Sequence, residues 1–149
     1  MRLAAMLRDR KGVSVVEFAL LAPALIAVPV PIVDLGLGLY AKMEVQNAAQ
    51  AGAQYALVHS ASGPLASAQV QAAVTASTAL TVTAGMSQSC GCPSGSAVVA
   101  TACGTNCAGG AAPGTYVTVT AQATYTPLVA YPVLGNSVAL AAQSMVRIQ

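Results

Sequence analysis

The chain is 149 residues long, 56% hydrophobic and only 7% charged, against roughly 25% charged in an average soluble domain. Six Lys/Arg, four Asp/Glu and a single His supply neither the clustered cations of a nucleic-acid binder nor the acids and imidazoles of a general acid–base enzyme. Such hydrophobicity also excludes a charge-rich disordered tail.

The charges are unevenly placed. Arg2, Arg8, Arg10 and Lys11 lie in the first eleven residues with Asp9 as the only acid, so residues 1–12 form a basic leader. A leader of this kind is an address rather than a structural element. From Val13 the chain turns apolar. Phe18 to Val33 runs sixteen residues without a charge, and the flanking segments extend the apolar stretch to Tyr40. A membrane-spanning helix needs about 20 such residues. Residues 13–40 therefore read as a transmembrane helix, kinked at Pro29 and Pro31, each of which removes a backbone donor and crowds the preceding turn. The basic leader predicts a cytoplasmic N-terminus and an extracytoplasmic body, 41–149. Glu17 is the odd residue in this stretch. A carboxylate within an apolar helix costs about 2.5–3.5 kcal/mol at the centre on insertion scales, so it is normally paired or functional. A cleavable signal peptide would have a shorter apolar run, and a plain signal anchor leaves Glu17 unexplained.

Basic leader, Gly12, four residues, Glu17, Phe18 and then the apolar helix together resemble the type IV prepilins. Residues 11–57 closely resemble the TadE-like pseudopilins of the tight-adherence (Flp-type) pilus system, with Pro23 and Asp34-Leu35-Gly36 also in the family's usual run. The resemblance implies cleavage between Gly12 and Val13 by a prepilin peptidase, which makes Glu17 the fifth mature residue. It further implies that Glu17 and Phe18 serve recognition and assembly with other pilins or pseudopilins and the pilus assembly platform. A short major pilin would be smaller than this chain, and the family member with a large adhesion-type domain would be longer.

Beyond the apolar stretch, Ala41, Val45, Ala48, Gly52 and Ala56 recur at helical spacing. This small-residue stripe suits close packing, on the chain's own core or on another subunit. SASGP at 60–64 is a break, and 65–79 reads as a second, weaker helix. Residues 80–84 read as a short strand, with another around Val98-Val99. Residues 85–114, rich in Gly, Ser and Cys, read as a loop region. In 115–125, Val117, Val119, Ala121, Ala123 and Tyr125 alternate with Tyr116, Thr118, Thr120, Gln122 and Thr124, the pattern of a half-buried strand. Residues 127–135 are a connection, and 138–148 alternate as a last strand. The predicted class is α+β: a long N-terminal transmembrane helix continuing into an extracytoplasmic helix, packed on a small antiparallel sheet with a disulfide-tied loop.

Cys90, Cys92, Cys103 and Cys107 fall within eighteen residues. CxC followed by CxxxC lies near structural zinc spacing, but an extracytoplasmic body favours disulfides and no metal site. Three pairings are open; the nested one, Cys90–Cys107 with Cys92–Cys103, suits a hairpin. Neither spacing is the CxxC of redox catalysis. His59 has no G-x-S-x-G partner and reads as a surface residue near the last carbonyls of a helix. Gly109-Gly110 lacks the lysine of a phosphate loop.

The expected function is that of a non-enzymatic minor pseudopilin in the bacterial inner membrane, single-pass, with its body in the periplasm or incorporated in a pilus. No cofactor, small-molecule substrate or nucleic acid is expected. The alternative is an uncleaved signal-anchored envelope protein whose disulfide-tied domain binds a ligand or partner.

Overall fold

The structure, a computed structural model, describes residues 13–95, 97–132 and 135–149, and of Val13 the backbone alone. Two helical segments come first, α1 (Val13–Ala27) and α2 (Pro29–His59). A 3-10 turn, Ser60–Ser62, and a short helix, α3 (Ser67–Ala76), follow. Four strands complete the chain: β1 (Thr83–Ser94), β2 (Ala97–Thr101), β3 (Gly114–Tyr125) and β4 (Val138–Arg147). The class is α+β, as the sequence predicts. The chain divides into two compact units, the first ending at Leu37 and the second spanning Gly38–Gln149.

The first helical run is interrupted at Val28, the residue before Pro29. The residue preceding a proline is pushed away from helical geometry. Pro29 and Pro31 then occupy the first turn of α2, where backbone N–H groups have no intrahelical acceptor to lose. Pro23, by contrast, stays inside α1.

In the second unit the sheet order is β2-β1-β3-β4, antiparallel throughout. β3 is central, pairing with β1 from Thr83↔Gln122 to Gly91↔Gly114 and with β4 from Tyr116↔Arg147 to Tyr125↔Val138. Two further bonds continue the β3–β4 ladder past Arg147: Ile148 N–H donates to the Thr115 carbonyl at 2.9 Å and Thr115 N–H to the Gln149 carbonyl at 3.0 Å.

The stripe on α2 packs on the chain's own core. Ala41, Val45, Ala48, Ala49, Ala53 and Ala56 are buried with Val70 and Val74 of α3 and Val117, Val119, Ala121 and Leu140 of the sheet. The alternation in β3 holds, with Val117, Val119 and Ala121 fully buried. Gly52 marks the closest approach. A Cβ there would overlap Val74 Cγ2 and lie 2.9 Å from Val119 Cγ1. Lys42 Nζ, on the same helix, donates to the Ala141 carbonyl of β4.

One expectation is corrected. Most of β1 lies within residues 85–114, which the composition marks as a loop, while residues 80–82 precede the strand; β2 falls where a strand is expected, around Val98-Val99. Gly85, Gly91, Ser87 and Ser89 carry little strand propensity, but β3 pairs with β1 from Thr83 to Gly91 and β2 from Cys90 to Ser94, and sheet context outweighs propensity. Pro93 is accommodated because the β3 pairing ends at Gly91, leaving β2 as its one neighbour.

The structure also selects one of the three cysteine pairings that the sequence leaves open. All four cysteines are in disulfides, but crossed rather than nested: Cys90–Cys103 and Cys92–Cys107, with Cα separations of 5.2 and 5.6 Å. The ladder explains why. Cys90 faces Thr101, two residues short of Cys103, whereas Cys92 faces Val99, four residues short of it. An extended chain would put Cys103 about 13 Å beyond Val99, and a disulfide requires Cα atoms within about 7 Å. After β2 the chain turns instead, with Thr105 N–H donating to the Ala102 carbonyl at 3.1 Å, and returns Cys107 to Cys92.

Gly52→Ala should destabilise the folded unit by about 1–3 kcal/mol, the usual cost of overpacking a filled core, measured as a lowered urea midpoint of the detergent-solubilised protein. Partial reduction with stepwise alkylation and fragmentation should recover the Cys90–Cys103 and Cys92–Cys107 pairs. Loss of either should cost about 3 kcal/mol, given loops of 13 and 15 residues.

Candidate membrane and assembly segment

The N-terminal helical region contains the one stretch, among the described residues, long and apolar enough to cross a membrane, and none of its most apolar 18 residues is buried. Val15, Val16, Phe18, Leu20, Leu21, Leu25 and Ile26 are all exposed. Large apolar side chains in continuous exposure mark a surface that water does not normally face. The region has the character of a single-pass membrane anchor.

The residues singled out for processing and assembly sit at its start. Gly12 lies outside the described residues, as does the rest of the leader. Val13 is the first residue of α1. Glu17 is exposed on that helix, and Phe18 beside it is 66% exposed. Positions 13 and 17 are four apart, so they share one face of α1.

Asp34 is the residue that sequence reasoning undervalued. Its surface is 2% accessible, which makes it the sole buried charged side chain among the described residues. The sequence signal is an acid inside an otherwise apolar run.

The cysteines do not join this segment. They tie β1 to the chain after β2, within the second unit, and with every thiol oxidised none remains to bind zinc. His59 ends α2, as its position suggests. Its Nδ1 donates to the Tyr55 carbonyl at 3.0 Å and its ring stacks on Tyr55, with centroids 3.8 Å apart. The imidazole is thus engaged in closing a helix, where the C-terminal dipole favours it.

Comparison with known proteins agrees with the geometry of this segment. A family model described as TadE-like protein matches residues 12–54. That stretch takes in Gly12, Glu17, Asp34, the exposed apolar helix and most of the buried stripe of α2. No curated protein and no solved structure matches the chain. The N-terminal part of this protein, residues 12–54, is therefore a TadE-like segment.

Proposed function

We propose that the chain is a minor pseudopilin of a tight-adherence pilus, non-enzymatic and processed at its leader. The observation that carries this reading is the TadE-like match, which begins at Gly12 and runs through an apolar helix with an exposed acid five residues in. A prepilin peptidase cuts between Gly12 and Val13 and leaves the anchor in the inner membrane. The body then stands on the extracytoplasmic side, where the oxidised cysteines fit the redox compartment. Its partners are other pilins or pseudopilins and the assembly platform.

Glu17 has a specific part in this scheme. Cleavage creates an amine on Val13, within reach of Glu17 of its own chain or of a neighbour. The ammonium offsets the cost of holding a carboxylate among apolar groups, since a charge taken out of water persists when paired. Docking through that pair selects a processed subunit over an unprocessed one.

Gly12→Val should leave the leader attached, because a side chain at this position prevents the close backbone approach that a narrow protease cleft requires. N-terminal sequencing of the membrane-extracted protein checks this: wild type should begin at Val13. An intact Met1 in wild type would favour the uncleaved, signal-anchored alternative.

Glu17→Gln keeps size and hydrogen bonding but removes the charge. A hydrogen bond to a charged group contributes about 1.5–3 kcal/mol, so partner crosslinking should fall roughly 10- to 100-fold. Insertion and leader cleavage should be unchanged. Normal pilus assembly by this variant would refute the docking role.

A further inference from the structure

Within the second unit, the ring of Tyr125 at the end of β3 lies against Gly38, where an added Cβ would stand 3.3 Å from Tyr125 Cε1. Gly38 is the residue at which the apolar N-terminal segment joins this unit in the chain. The β3–β4 connection therefore starts beside the point where the anchor ends. Its composition is unusual for a connection between strands. Residues 126–137 contain no charged side chain, and Leu128 and Val129 project into solvent, 69% and 43% exposed. The connection at the other end of β3, residues 102–113, is likewise uncharged but has no Leu, Ile or Val at all. The two ends of β3 are about 36 Å apart at 3.3 Å per residue, so an end with large apolar side chains and an end of small residues are well separated.

Three backbone positions of the apolar connection also suit a poorly hydrated setting. Pro127 and Pro132 have no N–H to satisfy, and Gly135 N–H donates to the Tyr131 carbonyl at 3.0 Å. Tyr40, two residues past Gly38, is 59% exposed at this end. Tyrosine collects where a membrane meets water, with its ring in the apolar layer and its hydroxyl in the headgroups.

We propose that the β3–β4 connection is a second membrane contact, in which Leu128 and Val129 insert into the interfacial layer of the bilayer that the N-terminal helix crosses. The occupant of this apolar surface is lipid, because it adjoins the point where the chain leaves its anchor. The depth is interfacial, since an irregular backbone is excluded from the lipid-exposed hydrocarbon core. The proposal rests on reading the N-terminal helix as a membrane anchor.

The chain has no tryptophan, so a single introduced indole reports its own surroundings. The full-length protein would be reconstituted in phosphatidylcholine vesicles as Leu128→Trp and, separately, Val129→Trp. Leu35→Trp in the anchor and Val99→Trp, 57% exposed on β2, complete the set. Quenching would be read with lipids brominated high on the acyl chain and with aqueous iodide. Leu128→Trp and Val129→Trp should be quenched by bromolipid, emit to the blue of Val99→Trp and resist iodide. Val99→Trp should show the reverse. If both connection variants are quenched by iodide and not by bromolipid while Leu35→Trp is quenched by bromolipid, the second contact is overturned and the anchor stands. Failure of Leu35→Trp to be quenched by bromolipid would remove the anchor and the contact with it. Protection from iodide without bromolipid quenching would also overturn the proposal, and would assign the surface to a protein cover.

Discussion

The close seating of α2 on the sheet and on α3 is the constraint from which the second unit follows. Gly52 has no room for even a methyl group between Val74 and Val119, and its neighbours along the buried face are almost all alanines. Small residues bury little area each, so stability here comes from bringing backbone surfaces close and leaving no void, rather than from large side chains. No Trp and only one Phe are present in the whole chain, and the largest fully buried side chains are valines. A core of this kind tolerates enlargement poorly, and the two disulfides compensate by restricting the unfolded chain.

One helix therefore meets two solvents. The early part of α2 exposes Ile32, Val33 and Leu35, whereas its later part buries Val45, Ala48 and Ala56 against the sheet. The buried stripe begins at Ala41, just past Gly38, where the chain divides into its two units. The polar residues follow the same division. Lys42, Gln46, Asn47 and Gln50 are exposed on the later part, while Asp34 is buried on the earlier part.

Much of this was legible in the sequence, for reasons that differ between elements. The stripe from Ala41 to Ala56 and the alternation in β3 and β4 are periodic signals imposed by burial on one face, and the structure places them accordingly. β1 was not legible. Its residues, TAGMSQSCGCPS, have neither propensity nor clear alternation, and it is a strand because β3 on one side and β2 on the other supply its hydrogen-bond partners. Tertiary pairing of this kind leaves no local trace. The existence of disulfides could be read from the number of cysteines and the compartment, but their pairing depends on the register of β1 with β2, which sequence spacing does not encode. Asp34 is visible as an anomaly in the apolar run, while its burial is not.

The crossed disulfides have a consequence for the covalent continuity of the chain. Every peptide bond from Cys90 to Cys107 is bridged by at least one disulfide, and every bond from Cys92 to Cys103 by both. The turn at Gly95, with φ at +61° and an exposed surface, is the kind of site proteases find first. A cut there would leave the two pieces doubly joined, with β4 and the C-terminus still attached to the helix that leads back to the anchor. In a compartment rich in proteases, a nick at this turn would not shed the C-terminal half of the sheet.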